Sequence, residues 1–453
     1  MLDILILGAT GYTGRLISRY LAAHRQRATF TFGLAARSQQ KLKALTDELG
    51  DSVFQVATFI VDVTQPDNVE MVIQEARVII NAVGPFWRWG TPVVEACVRH
   101  KRHYVDISGE FPWVREIIHK QVAFSISYLP PANTKCAPFC RFDHAAAKSN
   151  TLIVPCAGLD SVPTDLITYV ANKTLKASAG PTTGIDMSTS AWELDSFGLS
   201  GGSFSTFLTA LEHIPKHKLK AAVVGFALSP VRGTSSPRRR AFYTLPILDP
   251  PIRGTLSTHS SANTQVVQRS WGLFELATRY PKVVFPPELS ITVDTQGYSY
   301  GTAFKYEEFL ALPSRLHALR AFTFLISVSL AIIFFPPARW IARKLMPQPG
   351  RGPTDEQLEA GSVRVTNITT STPDSDGRTV SARTILKGKG EPLYLLTSIL
   401  VSEAALAIVL DKDGFPPLGR HGGVLTPATA FGDVLIRRLH ACGHFNIESE
   451  VLP

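Results

Sequence analysis

The run Ile4-Leu5-Ile6-Leu7 breaks directly into Gly8-Ala9-Thr10-Gly11-Tyr12-Thr13-Gly14, and this junction constrains the fold more than any other feature of the chain. Apolar residues, then glycines at this spacing, then a helical pattern mean strand, tight turn and helix. The first glycine permits the turn, the second lets backbone approach a ligand, and the third lets helix and strand pack closely. The helix N-terminus then offers unpaired N–H groups and a positive dipole end, which suit a pyrophosphate. The reading is a dinucleotide site formed by Gly8, Thr10, Gly11, Tyr12, Thr13 and Gly14.

The surrounding pattern agrees with this. Residues 4–7, 29–36, 57–61, 78–83 and 104–107 read as strands, and 15–24, 39–49, 68–75 and 92–99 as helices. Such alternation predicts a doubly wound parallel sheet, whose ligands gather at the carboxyl edge of the strands. The second strand ends in Ala35-Ala36-Arg37-Ser38, and no acid lies between residues 30 and 45. An acid there would hold the ribose of NAD, whereas Arg37 and Ser38 suit a 2′-phosphate. NADPH is therefore expected over NADH. Asp62, after the third strand, is placed for an adenine contact, and Asn81, Val83 and Gly84 would border the ribose and nicotinamide. Tyr104, Asp106, Ser108 and Glu110 end the fifth strand on the same edge, where any of them could position a substrate or give a proton.

At 453 residues, with 45% hydrophobic and 18% charged, the chain has material for two domains and excludes wholesale disorder. A net charge of +9 favours anionic partners such as phosphorylated cofactors or acidic membrane surfaces. Five scattered cysteines do not make a disulfide framework, and Met1-Leu2-Asp3 does not open a secretion signal, so an intracellular, reducing location is expected. Residues 321–335 form a run of 15 without a charge, with Arg320 before it and Arg339, Arg343 and Lys344 after it. This segment reads either as a buried core helix or as an anchor at a lipid surface.

Elsewhere, residues 125–142 lack a period and hold three prolines with Cys136 and Cys140, which reads as a loop without a metal site. Residues 152–155 read as a strand, 198–202 as glycine-rich turns, 233–240 as a basic loop, and 346–376 as loops around a strand at 362–368. Tyr169 and Lys173 fit the Tyr-x-x-x-Lys pair of short-chain dehydrogenases, but no serine stands about a dozen residues upstream, and the motif lacks its context.

Several blocks in order resemble the saccharopine dehydrogenase-like oxidoreductases, a group that includes trans-acting enoyl reductases. They are Gly8 to Gly14 with Arg37-Ser38, Asn81 to Cys97, and Tyr104 to Glu110. The most specific is Gly158-Leu159-Asp160-Ser161-Val162-Pro163-Thr164-Asp165, and Gly198 to Gly202 and Gly423-Val424-Leu425-Thr426-Pro427 extend the likeness over nearly the whole chain. The resemblance implies an NADP-binding Rossmann-type domain over 1–124, an insertion at 125–143, and an α+β substrate or dimerisation domain over 144–426. It also implies a C-terminal helix, 427–453, packed back on the first domain. It further implies hydride transfer from NADPH to an activated double bond of a carrier-bound acyl or polyketide-type intermediate, with Tyr104 and Asp160 as candidate proton donors. Saccharopine-type reductive amination and a non-catalytic cofactor-binding scaffold at a lipid surface are the alternatives. The expected partners are a small-molecule or acyl substrate, a membrane or lipid-droplet surface and a second copy of the chain, with no nucleic acid and no metal. Two features depart from the family pattern. The insertion reads as a retained intron or gene-model error, and Gly388-Lys389-Gly390-Glu391-Pro392 lacks the usual Gly-Asp-Pro-Gly-Tyr.

Overall fold

The computed structural model describes residues 1–50, 56–119, 142–195, 201–245, 247–285, 295–345 and 350–453. Its first half runs β1 (Leu2–Leu7), α1 (Tyr12–Ala22), β2 (Phe32–Ala36), α2 (Gln39–Leu49), β3 (Ala57–Ile60), α3 (Pro66–Ile73), β4 (Ala76–Asn81), α4 (Phe86–Arg99), β5 (His103–Asp106), α5 (Phe111–His119), α6 (Phe142–Lys148) and β6 (Leu152–Val154). The second half runs α7 (Val162–Ala179), β7 (Ile185–Asp195), α8 (Gly201–His213), α9 (Lys216–Ala222), β8 (Phe242–Leu245), β9 (Ile252–Thr255), α10 (Ser260–Arg279), α11 (Pro281–Val284) and β10 (Lys305–Leu312). It continues with α12 (Arg315–Phe334), α13 (Pro336–Leu345), α14 (Asp355–Ala360), β11 (Ser362–Ser371), β12 (Ser381–Lys389), α15 (Thr397–Leu410), α16 (Pro417–His421), β13 (Gly423–Val424), α17 (Pro427–Phe431), α18 (Asp433–Ala441) and β14 (Phe445–Leu452).

One sheet has the order β13-β6-β5-β4-β1-β2-β3 with every pair parallel. Its β1 to β6 portion is the doubly wound dinucleotide-binding order, with the connection reversing between β1 and β4. All five residues of β2 are buried, as a strand covered on both faces requires. The other sheet, β14-β12-β11-β7-β10-β9-β8, is mixed: β7 and β10 run parallel and its remaining pairs antiparallel. Here β12 alternates buried and partly exposed residues, and α7 and α10 cover one face. The expected architecture, a doubly wound parallel sheet with a second α+β domain, is the architecture observed.

The sequence partition does not follow the sheets. β6 and β13 lie within 144–426 yet extend the first sheet, and Phe445–Leu452 lies beyond it yet edges the second. The C-terminal stretch is therefore two helices and a strand. The helical pattern breaks at Gly432, which has φ +47 and stands so close to Tyr169 that a Cβ would lie 3.1 Å from its hydroxyl. The strand expected at 29–36 starts only at Phe32, because Arg27–Thr29 winds as a 3-10 turn with Thr29 Oγ1 donating to Gln26 O. Gly201 and Gly202 open α8 rather than a turn, while 198–200 and the segment 125–141, with Cys136 and Cys140, lie outside the described residues. Within 346–376 the structure adds α14, whose Thr354 and Gln357 form a capping box.

Among the described residues two helices are long and apolar enough to cross a membrane. One, formed by α15 and the turn before it, is core: every residue from Thr397 to Ile408 is buried, and α15 lies against α1, β4 and β5. The other, α12, buries only Ala318. It is 20 residues long, longer than its uncharged run, and shows Phe324, Leu330, Ile333 and Phe334 to solvent.

Candidate active site

The glycine turn has the shape its sequence implies. Gly8 sits at φ +80, and its N–H and that of Ala9 donate to Ala35 O at 2.9 and 3.2 Å. A Cβ on Gly14 would stand 2.1 Å from Gly8 O, and one on Gly8 would stand 2.8 Å from Val83 Cγ2. Gly11 caps α1 without any side-chain hydrogen bond, and a Cβ there would meet only Gly8 O. The first turn of α1 is thus open, with N–H groups available to a phosphate. Thr10 and Thr13 are half-buried on this turn. These residues fit a dinucleotide pyrophosphate. Tyr12 contributes backbone only: its hydroxyl donates to Pro353 O at 2.6 Å and its ring meets Tyr394 edge-on at 5.2 Å. Burial, then the nearby Glu391 carboxylate, push that hydroxyl up to about 12.

At the end of β2, Arg37 is exposed and Ser38 caps α2 by accepting from Lys41 N at 3.3 Å. Asp62 accepts from Thr64 N and Thr64 Oγ1 at 3.0 and 2.8 Å. The Thr64 N–H, then the hydroxyl, hold the Asp62 carboxyl below its usual range, and the Arg37 charge adds to this. Arg37 therefore stands as a cation beside the first turn of α2, where a 2′-phosphate is read.

At the ends of β4 and β5 the structure divides the expected residues into frame and surface. Asn81 is fully buried, accepts from Val83 N at 3.0 Å and donates to the Tyr104 hydroxyl at 3.1 Å. It shapes the turn that carries Val83 and the exposed Gly84. Tyr104 is also fully buried, and its hydroxyl donates to Asp106 Oδ2 at 2.8 Å. Burial, then the Asp106 charge, raise it far above the ordinary tyrosine range. Tyr104 is accordingly corrected from candidate proton donor to part of the sheet frame, because its side chain is fully buried and engaged by Asn81 and Asp106. Asp106 accepts from Ser108 N and Cys156 N, both at 2.9 Å, and burial raises it to about 6. Glu110 accepts from Phe86 N and Trp87 N at 2.7 and 2.8 Å, which starts α4 six residues before the sequence pattern does. Burial raises it to about 7.

Beside these strand ends lies a narrow hollow, partly open to solvent, lined by Leu159, Asp160, Trp192, Leu194, Ser257, His259 and Leu393. One wall is the loop after β6, where a Cβ on Gly109 would stand 3.0 Å from Asp160 Oδ2. A second wall is β7 of the other sheet. The third, Leu393, precedes the Tyr394 that touches Tyr12 on the glycine turn, so the hollow opens between the cofactor edge and the second domain. The block that departs from the family pattern stands here: Glu391, fully buried, caps Leu393 N and Tyr394 N at 3.0 and 2.7 Å. Asp160 Oδ1 lies 3.6 Å from His259 Nε2, with both side chains partly exposed. Behind them Glu308, buried, accepts from Asn263 Nδ2, Tyr306 Oη and Trp192 Nε1 at 2.9, 2.9 and 3.2 Å. Burial outweighs these donors and raises Glu308 to about 7. Sequence reasoning finds Asp160 but misses His259, Trp192 and Glu308. No local motif marks them, and only the fold brings them together.

The short-chain-dehydrogenase pair is excluded by placement. Tyr169 Oη donates to Asp433 Oδ2 at 3.4 Å and Lys173 Nζ binds the same carboxylate at 2.6 Å, so the pair ties α7 to α18. Arg232, Arg238, Arg239 and Arg240 are exposed and none lines the hollow. Among the described residues no group of three or more His, Cys, Asp or Glu is placed to hold a metal.

Residues 4–139 match the saccharopine dehydrogenase NADP binding domain. The chain is 27% identical over 464 residues to a trans-acting enoyl reductase of Mycobacterium tuberculosis, covering 97% of this chain and 96% of that protein. It is 28% identical over 474 residues to a trans-acting enoyl reductase of Mycobacterium ulcerans, with the same shares covered. A solved apo saccharopine dehydrogenase (L-Glu forming) of Saccharomyces cerevisiae aligns with 100% of both chains at 14% identity and a TM-score of 0.48. The domain match and the full-length relatives, on a chain whose glycine cradle and Arg37 fit the same cofactor, make this protein an NADP-dependent oxidoreductase whose first domain is similar to the saccharopine dehydrogenase NADP binding domain.

Proposed function

We propose that the chain is an enoyl reductase that saturates an activated double bond in a lipid or polyketide-type acyl intermediate, working at a lipid surface. The observation that carries this reading is the hollow. Leu159, Trp192, Leu194 and Leu393 wall it, and among the described residues no arginine lines it. An acyl thioester buries apolar surface in such a place. A substrate with several carboxylates would need cations there, which disfavours reductive amination of an oxo acid. The full-length likeness to proteins named trans-acting enoyl reductases supports the same acceptor class.

Bound NADPH supplies a hydride when an acceptor sits beside its nicotinamide. The protein's own part is to hold the pyrophosphate on the first turn of α1, fix the 2′-phosphate at Arg37, and close the second domain over the cleft through Tyr12 and Tyr394. Asn81 and Asp106 hold the β4 and β5 turns that border the nicotinamide.

Support for a lipid surface comes from α12 and α13. A nearly uncovered apolar helix is unfavourable in water, and exposed patches of this size mark interaction surfaces. Trp340 and Ile341 on α13 continue the apolar face, Lys344 sits 3.8 Å over the Trp340 ring, and Arg339 donates to Ile332 O and Ile333 O at 2.7 Å. Basic groups at the end of an apolar hairpin suit an anionic headgroup layer. The test is NADPH oxidation by 2-enoyl thioesters of increasing chain length, with and without vesicles. Turnover that rises with chain length and with vesicles supports the proposal. NADPH binding without turnover of any enoyl thioester moves the reading to a cofactor-binding scaffold.

A further inference from the structure

Adding a hydride to a conjugated double bond leaves an enolate, and a proton has to follow. Most titratable groups near the cleft are committed elsewhere. Tyr104 faces Asp106 inside the sheet, Glu110 caps α4, and Tyr12 points to Pro353. Asp165 accepts from Ser270 Oγ and from Ala428 N, fixing α17 to α7. Only Asp160 and His259 among the residues lining the hollow can carry a proton.

We propose that His259 is the acid that completes the reduction, and that Asp160 is the positioning residue that orients its imidazole. The inference rests on the enoyl-reductase reading. His259 is the residue from which α10 starts, and its own N–H donates to Ser257 Oγ at 3.3 Å, so its backbone is fixed against the hollow. Its ring is held more loosely. Nε2 faces Asp160 Oδ1 at 3.6 Å and Nδ1 faces Thr258 Oγ1 at 3.5 Å, and both side chains of the pair are about two-fifths exposed, at 40% and 38%. Contacts of this length in an unliganded site can tighten when a substrate enters. Asp160 at Nε2 leaves Nδ1 to deliver the proton, exchanging its long contact with Thr258.

The charged groups set against His259 come from two other elements. Asp160 lies on the loop after β6, and Glu308 lies on β10, where its carboxyl feels the His259 ring. Asn263, in the first turn of α10, donates to Glu308, and Glu308 also fixes the Trp192 indole on the opposite wall. The buried acid thus ties the His259 helix to the apolar wall. The step balances as follows. With hydride delivered to the β-carbon, the π pair moves onto the α-carbon as the thioester enolate. The Nδ1–H bond of the imidazolium breaks, its electron pair stays on nitrogen, and the proton forms the new α C–H bond. The alkene is reduced by the hydride pair and this proton, and a proton taken up from solvent restores the imidazolium.

The test uses the full chain, NADPH and a trans-2-dodecenoyl coenzyme A thioester in D₂O. The wild type is expected to place α-deuterium on one face of the product. His259→Ala should lower kcat by about 10²-fold or more, spread the deuterium over both faces, leave the NADPH Kd unchanged, and regain rate with added imidazole. His259→Gln, which keeps most of the volume, is measured beside it and should behave alike if the variant stays folded. Asp160→Asn should lower kcat and loosen the single-face deuteration, because the imidazole loses the carboxylate that orients it, with KM little changed. Full rate and single-face deuteration in either His259 variant that still binds NADPH would overturn this proposal alone. A wild type that binds NADPH but reduces no enoyl thioester would overturn it together with the reading on which it rests.

Discussion

Arg37 carries the cofactor choice at the scale of one side chain. It is the cation at the end of β2, and Asp62, a carboxylate on which its charge acts, is already engaged by Thr64. A hydrogen bond to a charged group is worth about 1.5–3 kcal/mol, so Arg37→Ala should weaken NADPH by about 10- to 100-fold and NADH far less. Parallel fluorescence titrations check this, and equal losses would remove the 2′-phosphate assignment. Glu308 gives a second residue-scale test. Its folded pKa of about 7 lies above the ordinary carboxyl value, so the folded state holds a proton that the unfolded chain releases. That stabilisation is complete below about pH 4.5 and fades as pH rises through about 7. The melting temperature of the wild type should therefore fall relative to that of Glu308→Gln between pH 5 and 8, and a constant difference would contradict the buried protonated acid. Gly8, Gly14 and Arg37 are legible in the sequence because their roles depend on neighbours a few positions away. His259 is not legible, because its partner Asp160 belongs to another loop and only the fold joins them.

At the scale of elements, strands and helices of the first domain follow from periodicity, while their ends do not. α4 starts at Phe86 because the Glu110 carboxylate supplies its cap from the next loop, a signal that no helix-start pattern contains. The same limit applies to apolar helices. α12 and α15 read alike by composition, yet α15 is core and α12 is bare, because α15 has α1, β4 and β5 to lie against. The bare helix makes a prediction of its own. Replacing Phe324 and Phe334, which are 71% and 75% exposed, by aspartate should abolish pelleting with anionic phosphatidylserine vesicles and leave the melting temperature within about 1 kcal/mol equivalent. Unchanged pelleting would place the membrane contact elsewhere, and a collapse in stability would mean that α12 is covered in solution.

At the scale of the molecule, the two sheets are not separable in sequence order, since β6, β13 and β14 cross the boundary that composition suggests. A buried ionic cluster fastens the crossing. Glu403 on α15 accepts from His24 at 3.0 Å, from Tyr20 at 2.5 Å and from Arg438 of α18 at 2.6 Å, and Arg438 also binds Asp411 at 2.6 Å. Burial alone would raise Glu403, but His24, Arg438 and Tyr20 hold it below the ordinary value. Glu403→Ala would leave the buried Arg438 with Asp411 alone and strip Tyr20 and His24 of their partner, and should cost about 3–5 kcal/mol, seen as a single earlier melting transition; a loss near zero would mean that α18 does not brace the first domain. What the whole arrangement creates is an apolar hollow between a cofactor edge and a second sheet, and the central claim is that an enoyl chain occupies it. The most direct measurement is NADPH absorbance with a long-chain 2-enoyl thioester, and in parallel with lysine plus a 2-oxo acid. The account predicts oxidation of NADPH by the enoyl thioester alone. Oxidation only with the amino acid pair, or with neither while NADPH binds, would contradict it.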